Sequence, residues 1–336
     1  MQLNFDHKTA GHCENGVVRN LLKYYGVDLS EPMILGLGSG LFFSHMPFYK
    51  MHGMPITSFR PLPGAIFSSV THRLRVKIKR YKFSNPDKAM AKLDEILFTE
   101  TPVGLLVGVY NLPYFPKEYR FHFNAHNICV IGKEGDEYIV SDPVVVQKCR
   151  LSSADLRTVR YAQGTYPPMG RMNHIKSMKH LRPVDEKMIR KAILKTCNRM
   201  LHIPLPMFGA KGIAYLAARM RNWVSMYGER GAALNLAQVI RMLEEIGTGG
   251  AGFRFMYAAF LQEAGEFLGK PALRDLSLEL TAIGDLWRDF SYHAARFFKK
   301  REGEVASYDQ VADKLMNIAQ REKEVFTRLE KIMKSE

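Results

Sequence analysis

The chain has 336 residues, 46% apolar and 24% charged, a composition that supports one large or two ordinary globular domains and excludes a disordered or fibrous chain. Its net charge of +15 attracts acidic partners, at rates that fall as salt rises. Four cysteines without Cys-x-x-Cys spacing argue against zinc and against a disulfide scaffold at this length, so no metal is expected.

The opening MQLNFDHKTAGH carries no apolar run of the signal-peptide kind. The longest apolar stretch, 103–110, is too short to span a bilayer. A cytoplasmic protein with reduced thiols is the expectation. From Cys13 the residues Val17, Val18, Leu21, Leu22 and Tyr25 recur at helical spacing and Gly26 can end the helix. GLGSG at 36–40 lacks the strand and helix of a dinucleotide-binding turn and reads as a tight turn near the cleft. Residues 73–82 (RLRVKIKRYK) alternate as a half-buried strand. Asn85-Pro86 caps and opens a helix running to about Phe98. VGLLVGVY (103–110) reads as a buried strand, and 127–131 and 137–140 as two strands joined by a Lys-Glu-Gly-Asp turn. Residues 162–184, with Gly164, Pro167, Pro168, Gly170 and Pro183, read as a linker. Beyond it helices are predicted at about 185–200, 209–227, 232–246, 252–268, 273–300 and 308–334.

A thiol attacks a carbonyl as its thiolate and needs a base, which in turn needs a group to orient it. Cys13, in AGHCENG, stands at a predicted helix start, where the dipole favours an anion. His126 opens a strand in NAHNICVIG. Asp142 ends the next strand in YIVSDPVV, sixteen residues later and across one hairpin. That span can set a carboxylate beside an imidazole, and Pro143 holds Asp142 extended. Each residue also has a bland reading: Cys13 as a small buried apolar side chain, His126 as a structural strand histidine, Asp142 as turn chemistry. His7, His12 and Glu14 are candidates for lining the site or holding an oxyanion, or are structural, with Glu14 capping the helix. Cys129, Cys149 and Cys197 lack a base motif and read as inert. Gly249 and Gly250, in a turn before a helix, with Arg254 one turn in, could cradle an anion such as a phosphate, although an interhelical turn with close packing is the favoured reading.

HCENGVVRNLLKYYG, SEPMILGLGSGLFF (30–43), HNICVIG and SDPV, with EEIGTGGAGFRFMYAAFLQEA (244–264) and Trp287, resemble in order the butirosin biosynthesis protein H family. More distantly, the first half is similar to the double-glycine leader cysteine peptidases. The resemblance implies an α+β protein: a papain-like cysteine-peptidase fold in the N-terminal domain (1–165), followed by an all-α C-terminal domain (180–336). It implies an acyltransferase in secondary metabolite biosynthesis, moving an acyl group from an acyl carrier protein to an amine or hydroxyl. Cys13 would be the nucleophile on the phosphopantetheine thioester, His126 the base and Asp142 its orienter. The phosphopantetheine arm is the donor, and no bound cofactor is implied. Leader peptidases carry Gln six residues before the Cys, where this chain has His7, and usually Gly after it, where this chain has Glu14. The first departure leaves the second oxyanion donor unassigned, and with the second it favours acyl transfer over proteolysis.

The basic runs 73–82 and 171–200 suit an acidic acyl carrier protein, with a small-molecule acceptor as the other partner, although a solvated surface gives the same pattern. No DNA- or RNA-reading motif is present, so specific nucleic-acid binding is not expected. A homodimer is compatible with the sequence. A cysteine peptidase or amidase using the same residues, and a non-catalytic basic binding module, are the competing readings.

Overall fold

The computed structural model describes residues 2–51, 53–301 and 307–335. In chain order the elements are α1 (Cys13–Tyr24), α2 (Glu31–Leu37), β1 (Ser44–Met51), β2 (Met54–Ser58), α3 (Ala65–Arg73), β3 (Lys77–Tyr81), α4 (Pro86–Phe98), β4 (Val103–Val107), β5 (His126–Glu134), β6 (Glu137–Ser141), β7 (Cys149–Ser152), α5 (Ser153–Arg160) and β8 (Met172–Ser177). Six helices follow: α6 (Glu186–Leu201), α7 (Gly209–Met220), α8 (Trp223–Glu244), α9 (Arg254–Leu268), α10 (Pro271–Phe298) and α11 (Tyr308–Lys334). This is an α+β protein. No helix among the described residues is long and apolar enough to cross a membrane.

The chain forms two compact units, one of residues 1–34 and 66–183 and the other of residues 35–65 and 184–336. The expected division into continuous segments, 1–165 and 180–336, is corrected at two points. Residues 35–65 leave the first unit and contribute the β1–β2 hairpin to the second, which is therefore helical but not all-α. Pro47 hides this hairpin from pattern reading. It lies in the register shift between Met46 and Lys50, where a residue without an N–H is tolerated. Residues 162–184 are also more than a linker: they contain β8, which pairs with both β3 and β4.

The first unit holds an antiparallel sheet in the order β3-β8-β4-β5-β6-β7. One face packs on α4 and α5 through Leu93, Leu97, Leu105, Ile128, Val130, Leu156 and Val159, all buried. The local signals for α1 and α4 hold: Gly26 takes a positive φ of 84° just past α1, and the Asn85 side chain accepts the Lys88 N–H at the start of α4. The strand expected over 73–82 is shorter because α3 runs to Arg73 and Arg75 adopts a φ of 55°. Its remnant β3 is an edge strand exposing Lys77, Lys79 and Arg80.

In the second unit, α11 runs along α6 and α7, while α10 packs on α9 and α8. The helix expected over 209–227 instead ends at Met220, and α8 kinks at Gly228 (φ 68°). The GLGSG segment is a turn, with Ser39 at a φ of 48°. It is tied to α6 by Ser39 Oγ donating to the Ala192 carbonyl at 3.1 Å and by Arg199 donating to the Ser39 carbonyl at 2.7 Å.

Candidate active site

Three segments of the first unit build the site. The turn before α1 is held by one carboxylate: the Gly11 and His12 N–H groups both donate to Glu31 at 2.9 Å. Asn20 and Arg19 reach back to the carbonyls of Lys8 and Thr9, each at 2.9 Å. His12 is the N-cap, its Nδ1 accepting from the Asn15 N–H. Cys13 is therefore the first helical residue, where the helix dipole favours a sulfur anion. Cys13 is buried, with 7% of the residue exposed.

The β5–β6 hairpin supplies the other two residues. Cys129 pairs with Ser141, so Asp142 lies just beyond the paired end, on the side where β5 begins with His126. A bulge between Val130 and Gly132 adds local twist to this ladder. His126 Nε2 donates to Asp142 Oδ2 at 2.7 Å, with both side chains buried. Asp142 is fully enclosed, and its oxygens also accept the Tyr114 hydroxyl at 2.9 Å and the Val144 N–H at 3.1 Å. Burial and then the Asp142 charge push the Tyr114 phenol well above its ordinary value, so it remains a donor.

Burial disfavours a charge on His126, but the Asp142 carboxylate and a hydrogen bond with Cys13 overcome it and raise the imidazole to about 10. With Nε2 committed to Asp142, the ring nitrogen left to Cys13 is Nδ1. A helix-start thiol on one ring nitrogen and a carboxylate on the other is the papain-like arrangement, in which the carboxylate orients the ring and the imidazole can take the thiol proton. Asn127, the next strand residue, directs its amide at the Cys13 sulfur at 3.8 Å.

Two family models match. The model for Butirosin biosynthesis protein H, N-terminal, matches residues 12–143, and that for Domain of unknown function (DUF4872) matches residues 154–329, just over half of the chain. The chain belongs to the butirosin biosynthesis protein H-like, DUF4872 family. No curated protein matches it. Among solved structures, one described as a C39-like peptidase from Bacillus anthracis is similar at 13% identity, covering 52% of this chain and 96% of that one, with a TM-score of 0.37, which is too low to argue from.

Cys13, His126 and Asp142 of this butirosin biosynthesis protein H-like chain thus come together, and the other candidates do not join them. His7 hydrogen-bonds Ser141 at 2.8 Å and the Val145 carbonyl at 3.1 Å, bracing the turn that carries Asp142. It faces a surface cleft shared with Asn4, Asp6, Lys23, Tyr24 and Lys148, so it takes no place beside the sulfur. His12 is occupied as a cap. Glu14 is 1% exposed, and its carboxylate accepts the Phe67 N–H at 3.0 Å in the first turn of α3, so it does not reach out to a substrate amine. The anion site expected at Gly249, Gly250 and Arg254 is already filled by the protein's own carboxylates. Arg254 is fully buried in a two-pronged pair with Glu322, at 2.8 and 2.9 Å. Glu244 takes the Ala251 N–H at 3.4 Å, and the Gly250 N–H goes to the Thr248 hydroxyl.

Asn127, Tyr114 and Glu31 were missed. Asn127 had the one available signal, its adjacency to His126 in HNICVIG. Tyr114 and Glu31 stand far from their partners in sequence and had none. Among the described residues, no group of three or more His, Cys, Asp or Glu is placed to hold a metal ion.

Proposed function

We propose that this chain is an acyltransferase of secondary metabolite biosynthesis, using Cys13, His126 and Asp142 to move an acyl group from the phosphopantetheine thioester of an acyl carrier protein to an amine or hydroxyl. The observation that carries the proposal is the shared imidazole, with Asp142 on Nε2 at 2.7 Å and Cys13 on the same ring. The name of the family supports a biosynthetic setting, and its founding activity, acyl transfer from a carrier, supports the reaction.

In the first half-reaction the Cys13 thiolate adds to the thioester carbonyl. The oxyanion so formed is met by the Cys13 backbone N–H at the helix start and by the Asn127 amide, which takes the part that Gln plays in the leader peptidases. Collapse expels the pantetheine sulfur, which takes its proton from the His126 imidazolium. In the second half, the acceptor amine or hydroxyl attacks the Cys13 thioester while His126, now neutral, removes its proton. Cys13 leaves as thiolate and the ion pair is restored. Asp142 holds the ring orientation in both halves.

The donor is acidic in this reading. The exposed Lys77, Lys79 and Arg80 on edge strand β3 make no ion pair among the described residues and offer a docking surface. In the second basic run, Arg199 is engaged at the Ser39 carbonyl.

Intact-mass measurement after mixing with an acylated carrier protein tests the proposal. A mass gain equal to the acyl group, absent in Cys13→Ala, is expected. The same residues would serve a peptidase or amidase, so cleavage of peptides without acylation from the carrier would move the assignment there. If neither donor reacts, and iodoacetamide labels Cys13 no faster than Cys149, the chain is a basic binding module.

A further inference from the structure

We infer that the second compact unit carries a binding site for the carboxylate of a compact organic acid, formed by His45 Nε2 and the Arg219 guanidinium against the rings of Tyr215 and Trp223.

His45 and Thr57 are cross-strand partners in the β1–β2 hairpin, and His45 Nδ1 lies 2.9 Å from Thr57 Oγ1. Thr57 is fully buried, and this is the one hydrogen bond of its hydroxyl among the described residues. A buried hydroxyl donates where it can. Here that makes Nδ1 the acceptor and leaves the ring proton on Nε2. His45 is 2% exposed, and its Nε2 has no partner among the described residues. A buried N–H donor is thus directed at nothing that the described residues supply.

Arg219, on α7, repeats the pattern. Among the described residues its Nε is buried without a partner, its Nη1 has only a long 3.5 Å contact with the Tyr215 hydroxyl, and its Nη2 meets only the Met226 sulfur at 3.9 Å. No carboxylate pairs with it among the described residues. Both groups flank one ring: Arg219 Cζ stands 5.7 Å from the Tyr215 centroid, and the His45 ring 6.3 Å from it. Trp223 lies 6.5 Å from His45 and is backed by Tyr308. Burial, and then the Arg219 charge, pushes His45 down to about 4, so at neutral pH it offers an N–H and no charge.

The set is therefore one cation, one neutral donor and aromatic walls. A guanidinium edge pairs with a carboxylate through two parallel N–H bonds, and Nε with Nη2 is such an edge, with only a sulfur to displace. A single negative charge matches a single Arg, and the rings suit an apolar body. A phosphate dianion would ask for more positive charge than is present.

The test uses the full chain labelled at its histidine rings, with benzoate, acetate and inorganic phosphate as probes at matched ionic strength. The His45 resonances, identified by their proximity to Thr57, should shift saturably with benzoate in the millimolar range. Acetate should act more weakly and phosphate least. Arg219→Met, at a half-buried position, should weaken benzoate roughly tenfold or more, about 1.4 kcal/mol, without changing the melting temperature materially. Unmoved His45 resonances, unchanged affinity in Arg219→Met, or phosphate binding as tightly as benzoate would each overturn the assignment. Because no acylation is read, the outcome is separate from that of the acyl-transfer experiment.

Discussion

The Cα of Gly16 lies so close to Pro143 that an added Cβ would stand 2.4 Å from the proline Cβ, and 2.7 Å from that of Ala10. The helix carrying the thiol is thus seated directly on the residue after Asp142, and the Ala10 N–H clamps the same point by donating to the Pro143 carbonyl at 2.7 Å. Gly16→Ala should push the helix off this seat. Overpacking costs of about 1–3 kcal/mol are usual, and a shift near 1 Å at a reacting atom costs roughly 100-fold in rate. Stopped-flow acylation and urea unfolding should therefore show a larger loss in rate than in stability. Equal acylation rates in the two proteins would refute the seating argument.

The proposed thiolate–imidazolium pair would set a pH signature. His126 is raised to about 10 against the opposing effect of burial. For a raised histidine, the stabilisation is complete below its unfolded value near 6.5 and is lost as pH climbs through about 10. Iodoacetamide labelling of Cys13 should stay nearly level between pH 6 and 9, whereas an ordinary thiol gains roughly tenfold per unit below its value of about 8.5. Cys149 is pushed up to about 11 by burial and then by Asp142, and burial raises Cys129 and Cys197 further. All three should label slowly. A Cys13 profile that rises like that of a free thiol would remove the ion pair.

Asp142→Asn keeps the shape but removes the charge and frees the ring to turn over. A loss of about 10,000-fold in turnover is the precedent for that change in a triad. Tyr114→Phe removes one of the donors to Asp142 and should cost far less, about 1 kcal/mol in stability with a several-fold lower rate. Asn127→Ala should lower the acylation rate while leaving the pH profile of labelling in place, because it acts on the oxyanion and not on His126. Full activity in Asn127→Ala would mean that its contact with sulfur is incidental.

Reversing Lys77, Lys79 and Arg80 to Glu should raise KM for the carrier-bound donor at low salt and leave kcat with a small pantetheine thioester unchanged. Long-range attraction of this kind is screened beyond about 10 Å at 0.1 M salt, so the difference should shrink as salt is added. An unchanged KM at low salt would reject this patch.

The Arg254–Glu322 pair, with Trp287 Nε1 also donating to Glu322 at 2.7 Å, makes a stability prediction. Both charged side chains are fully buried. Arg254→Met strands a carboxylate and should cost about 3–5 kcal/mol, whereas Arg254→Met with Glu322→Gln should recover much of it. Thermal unfolding of the two variants checks this. Equal destabilisation would show that packing, not charge, dominates there.

Local chemistry was readable in the sequence where it acts over a few residues. Asn85-Pro86 set the start of α4, Gly26 the end of α1, and the Gly135 turn the hairpin that puts His126 and Asp142 within reach, because caps, positive φ and strand alternation are decided between near neighbours. The tertiary structure alone decided which donors complete Asp142, that the polar side chain beside the sulfur belongs to Asn127 and not to His7, and that Arg254 is claimed by Glu322, 68 residues away. It also decided that residues 35–65 join the second unit. Those outcomes depend on burial, which forces each polar atom to find a partner wherever the packed chain brings one, and nothing in the spacing of residues along the chain records that search.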